Sequence, residues 1–83
     1  MLFLVTQTHT PETCPKDRGG SNVLYDAKAE GITSKAMYGA FSEHVIYYLL
    51  EAESLSAVHR FLLPGFGSCT CRITPVAEEP MIP

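Results

Sequence analysis

The patterning of this chain predicts an α+β fold with the element order βαββαβ. Three observations carry that expectation. Extended, β-branched and aromatic patterning recurs in four places, starting at Leu2, Ile32, His44 and Ser68. Two stretches with helical spacing lie between them, Val23–Glu30 and Leu55–Leu63. Glycine or proline closes each of these, at Gly31 and at Pro64-Gly65. A length of 83 residues suits a single domain, assigned to residues 1–76, with residues 77–83 as a proline-bearing tail.

Each element has a local reason. Leu2–Thr8 contains no breaker, and both of its parities begin apolar: Phe3 and Val5 on one side, Leu2 and Leu4 on the other. Residues 9–20 form a loop that ends in Gly19-Gly20. Ser21 or Asn22 can cap a short helix over Val23–Glu30, with Leu24 and Ala27 on its apolar stripe. Ile32–Gly39 reads as a second strand, and Phe41-Ser42-Glu43 as a turn. His44–Glu51, His-Val-Ile-Tyr-Tyr-Leu-Leu-Glu, has the strongest strand pattern and is also apolar on both faces, which places it centrally. Ser54 caps the second helix, where Leu55, Val58 and Leu62 share a stripe widened by Phe61. In the last strand, Cys69, Cys71 and Ile73 alternate with Thr70, Arg72 and Thr74; Pro75 suits an edge or a strand end.

This order is the split βαβ, or ferredoxin-like, pattern: a four-stranded antiparallel sheet with two helices on one face. Its expected strand order is four-one-three-two, with strand one read as parallel to three and antiparallel to four. That reading sets the end of strand one, Thr8-His9, beside Ser68-Cys69, and puts His44 at the far end of the sheet. Seven residues of strand then separate His44 from Glu51, about 23 Å at roughly 3.3 Å per residue. A site joining His9 to His44 would therefore have to form across a two-fold dimer. Apolar residues on the uncovered sheet face predict a homodimer packed through that face.

Composition narrows the function. A net charge of −3 with six scattered Lys and Arg residues argues against nucleic acid. Met1–Val5 is too short and lacks the basic flank of a signal peptide, and no run approaches the roughly 18 apolar residues of a membrane span. Three cysteines suit no disulfide framework and point to a reducing cytoplasm.

The densest chemistry lies in Thr8-His9-Thr10-Pro11-Glu12-Thr13-Cys14-Pro15, a proline-stiffened loop directly after the first strand. With Phe3-Leu4-Val5-Thr6 before it, Ser42-Glu43-His44-Val45-Ile46-Tyr47-Tyr48 and Ile73-Thr74-Pro75-Val76, this loop resembles a family of small uncharacterised bacterial and archaeal proteins in the dimeric α/β-barrel superfamily. The resemblance implies sheet faces pairing in a dimeric barrel. It implies no single chemistry, since the superfamily includes isomerases, cyclases, cofactor-free monooxygenases, haem-degrading enzymes and proteins without known activity.

Three candidate sites follow. The leading one is a small organic ligand held in the barrel interior. Its polar sector would be Thr6, Thr8, Thr70 and Arg72 with Tyr47 and Tyr48; Arg72 would hold a carboxylate or enolate oxygen, and His9 or His44 would move a proton. The same face filled as a plain dimer core, giving a structural or regulatory dimer, is the competing reading. The alternative is a metal- or redox-binding module on His9, Cys14, Cys69 and Cys71, a donor set suited to zinc or another soft metal. Against it, Cys69 and Cys71 can simply pack with Ile73 beneath a helix. Cys14 alone, activated by His9, is the nucleophile candidate, although no third orienting group is legible.

Overall fold

The structure, a computed structural model, describes residues 1–80. Its strands are β1 (Leu2–Thr8), β2 (Ile32–Ala40), β3 (Val45–Ala52) and β4 (Thr70–Val76), and its α-helix is α1 (Leu55–Leu62). The sheet order is β2-β3-β1-β4, and every neighbouring pair is antiparallel.

The strand directions correct the expected topology. β1 runs antiparallel to β3, with Leu2 opposite Glu51 and Thr8 opposite Val45. The cause is the pair of long connections. Residues 9–31 carry the chain from the end of β1 back to the start of β2, skipping over β3. The segment containing α1 does the same between β3 and β4, skipping over β1. Each connection returns the chain to the sheet end where its strand began, so β1 and β2 run one way and β3 and β4 the other. The end of β1 and the start of β3 therefore meet.

The first predicted helix does not form. In its place a 3-10 turn spans Gly20–Leu24, and Tyr25 is extended at φ −147° and ψ 162°. Two local competitors explain this. Gly19 and Gly20 both take positive φ, and the Asp26 carboxylate accepts from the Lys28 amide at 2.9 Å, making a side-chain turn where a helix would need backbone bonding. Tertiary contacts then hold the strap. The Asp26 amide donates to the Phe61 carbonyl at 2.7 Å, and the Tyr25 ring stacks on Phe61 at 5.2 Å.

With one α-helix among the described residues and an open sheet, the ferredoxin-like βαββαβ assignment and the dimeric α/β barrel are both set aside. The sheet does not close on itself: β2 and β4 are its edges among the described residues. The resemblance drawn from the four segments does not carry over to the fold. Of the tail, residues 77–80 hold no helix or strand, and residues 81–83 lie outside the described residues.

The core occupies one face of the sheet. Phe3, Val5, Ile46, Tyr48, Leu50 and Ala52 point into it and meet Leu24, Ala57, Val58, Phe61 and Leu62 from the strap and α1. Helix α1 forms for the reasons its sequence suggests, with the Ser54 side chain accepting from the Ala57 amide at 3.2 Å. Among the described residues, Gln7 is the polar side chain buried in the core. Gln7 donates to the Leu24 carbonyl at 2.9 Å and accepts from the Tyr48 hydroxyl at 2.6 Å. This pairing ties the strap to the sheet and satisfies groups that would otherwise be costly to bury. The opposite sheet face stays open, with Leu4 44%, Tyr47 38% and Tyr38 70% exposed.

Candidate metal centre

The antiparallel pairing of β1 and β3 does not stop at Thr8. The His9 amide donates to the His44 carbonyl at 3.0 Å, extending the ladder by one bond beyond the strands. The two imidazoles then meet: His44 Nδ1 lies 3.2 Å from His9 Nε2, and their ring centroids are 5.0 Å apart. His44 is not part of β3, as its sequence suggested. It ends the 3-10 turn Phe41–Glu43 in the left-handed region, at φ 57° and ψ 41°, and is the one non-glycine residue with positive φ among those described. Such a conformation costs roughly 1–2 kcal/mol in a residue with a Cβ. It turns the imidazole toward His9.

The proline loop supplies the third group. Thr10 and Thr13 cap each other across the turn Pro11–Thr13, with the Thr10 amide donating to Thr13 Oγ1 at 3.0 Å and the Thr13 amide to Thr10 Oγ1 at 3.3 Å. Thr13 Oγ1 also reaches the Ser68 carbonyl at 3.2 Å, fastening the loop to the chain entering β4. The Arg18 guanidinium donates to the Thr13 carbonyl at 2.9 Å. Cys14 follows directly and is held half-buried. The result is a cluster in which one donor atom each from His9, Cys14 and His44 lies within 4.8 Å of the others.

Electrostatics favour the neutral form of the His9 ring. Burial, with a smaller contribution from the adjacent His44 ring, holds the His9 pKa below its ordinary 6.5. Neutral imidazole is the form that binds a metal. His9 Nδ1 is buried with no hydrogen-bond partner. In a catalytic Cys–His pair that nitrogen would be expected to bond an orienting carboxylate or amide. A metal-bound imidazole places the same demand on that nitrogen, so the unpartnered Nδ1 favours neither a ligand cluster nor a nucleophile relay.

The other sequence candidates fall elsewhere. Cys69 and Cys71 are half-buried, pack against the core and are not in the donor cluster. Burial and the neighbouring Cys69 raise the Cys71 thiol pKa. Thr6, Thr8, Tyr47, Thr70 and Arg72 share the open sheet face, where Thr6 sits between Tyr47 and Arg72. Tyr48 points the opposite way into the core, where burial pushes its hydroxyl pKa up. The polar sector and the His–Cys cluster are therefore separate places. What the sequence reading missed was the meeting of His9 with His44, and the missing signal was the relative direction of the first and third strands.

The cluster lines a half-open cleft of about 490 Å³. Its walls are mostly apolar, with Leu24, Met37, Phe41, Val45 and Ile46. Compared with known proteins, the chain matches no protein-family model, no curated protein and no solved structure. The functional reading therefore rests on the site. No helix among the described residues is long and apolar enough to cross a membrane.

Proposed function

We propose that this protein is a metal-binding module whose centre is formed by His9, Cys14 and His44. The supporting observation is the convergence of three donor atoms within 4.8 Å. Two nitrogens bound tetrahedrally at about 2.0–2.1 Å from zinc stand about 3.3 Å apart. The two imidazole nitrogens already stand at 3.2 Å, where they share one N–H between them, and a metal would take the place of that hydrogen bond. A nitrogen–sulfur edge in the same geometry is about 3.6 Å, so Cys14, which lies within 4.8 Å of the imidazoles, would close by at most about 1.2 Å. Two imidazoles and a thiolate suit zinc and other borderline or soft ions. The strained backbone at His44 supports the reading, because strain of this kind persists where surrounding structure enforces it and concentrates at functional sites. His9 and Cys14 come from the original metal set; His44 takes the place of Cys69 and Cys71.

Zinc titration of the full chain, followed by gel filtration and elemental analysis, tests the proposal. One equivalent of retained zinc is expected. His9→Ala and Cys14→Ala should each lose it while keeping the far-UV spectrum of the parent. Full retention in both variants would refute the centre.

A further inference from the structure

If the centre holds zinc, its three protein donors leave a coordination position open, and the structure shows where that position faces. Zinc takes four ligands, and centres with three protein donors keep the fourth place for water or an exogenous group. No fourth His, Cys, Asp or Glu joins the cluster among the described residues. All three donors line the same cleft. From this we propose that the site captures a small monoanion with an apolar body, its charged head on the metal and its body along the cleft.

The charge follows from the donor set. A divalent ion with one thiolate and two neutral imidazoles carries a formal charge of +1, which favours an anionic fourth ligand. Lys16 lines the cleft too, but its ammonium is 2.7 Å from the Asp17 carboxylate and both are exposed, so the centre itself dominates the field. The apolar body follows from the walls. Phe41 stands at the rim, 70% exposed, with its ring centroid 6.4 Å from that of His44. Leu24, Val45 and Ile46 line the same cleft. A Cβ built on Gly39 or Gly20 would meet nothing within 4 Å, so both glycines border open space. The cleft volume of about 490 Å³ lies within the range of small-molecule sites.

The proposal rests on the metal reading above, and cobalt separates the two. Cobalt(II) is loaded into the full chain in place of zinc; a thiolate-to-cobalt charge-transfer band reports the Cys14 ligand, and the visible d–d bands report the fourth position. Benzohydroxamate, which binds metals as a monoanion through two oxygens, should take the open position, raise the centre to five-coordinate and so alter the d–d bands. It should bind at least about tenfold more tightly than acetohydroxamate, the ratio expected when roughly half of a phenyl ring's apolar surface leaves water. Benzylammonium, with the same ring and the opposite charge, should leave the bands unchanged. Phe41→Ala should cut the preference for benzohydroxamate to about threefold or less. A charge-transfer band with d–d bands indifferent to both hydroxamates would overturn this inference and leave the metal centre standing. Equal binding of the two hydroxamates, or a response to benzylammonium, would overturn the assigned ligand class. Absence of any charge-transfer band would remove the metal reading and this inference together.

Discussion

Replacing His44 with glycine should harm the fold less than replacing it with alanine, although both remove the same imidazole. His44 sits at φ 57° and ψ 41°, where a Cβ crowds the following carbonyl. That crowding costs roughly 1–2 kcal/mol, is retained in His44→Ala and is absent from His44→Gly. Glycine gives back part of the gain through the greater freedom of its unfolded chain, roughly 0.5–1 kcal/mol. The net expectation is that His44→Gly is the more stable variant by about 0.5–1 kcal/mol. For a domain of this size that is a difference in Tm of roughly 2–8 °C. Neither variant should respond to zinc, whereas the parent should gain about 2.7 kcal/mol when free zinc is 100 times its Kd. Thermal melts of the three proteins with and without zinc measure both effects. An alanine variant as stable as the glycine variant would refute the strain at His44. A zinc-dependent rise in Tm in either variant would refute its role as a ligand.

Three further outcomes are expected. Cys69→Ala and Cys71→Ala should each keep one equivalent of zinc in elemental analysis, because both side chains pack against the core outside the donor cluster; loss of zinc in either would put the cysteines back in the site. Gly65→Ala should destabilise by about 2–4 kcal/mol in urea denaturation, since its Cβ would meet Gln7 Nε2 at 2.6 Å and the Leu24 carbonyl oxygen at 2.8 Å, breaking into a buried hydrogen-bonded pair; a loss below 1 kcal/mol would mean the strap moves aside. The metal-free protein should lose stability as pH falls below the ordinary histidine value of 6.5, because the lowered His9 pKa lets the unfolded chain take its proton first; urea melts at successive pH values should show this loss shrinking in His9→Gln, and an unchanged pH slope in that variant would contradict it.

Much of the local structure is legible in the sequence, because it depends on neighbouring residues. The unbroken β-branched and aromatic run of Leu2–Thr8 is β1 with the expected boundaries. Ser54 and the stripe of Val58, Phe61 and Leu62 specify α1, although Leu55, read as part of that stripe, is exposed and Ala57 is buried in its stead. The failed helix is instructive in the same way. Leu24 and Ala27 have helical spacing, yet Ala27 is exposed and only Leu24 is buried, so a single apolar anchor could not offset the pull of Asp26 and the two glycines toward a turn.

The candidate site divides along the same line. His9 and Cys14 stand out in the sequence because a proline-stiffened loop concentrates reactive side chains within a few residues, and that loop does present both to one cleft. His44 lies 35 positions from His9, and no spacing rule links residues so far apart. Sequence alone placed the four strands to within a residue or two, together with α1, the stiff loop and two of the three clustered side chains, all of which follow from local conformational preference and side-chain chemistry. Only the tertiary structure decided that β1 and β3 run in opposite directions, that the side chain meeting His9 and Cys14 is that of His44, and that a strap takes the place of a second helix on the core face. Those outcomes depend on how two long connections return across the sheet and on which apolar face the strap and α1 bury together, and both are properties of the whole packed chain.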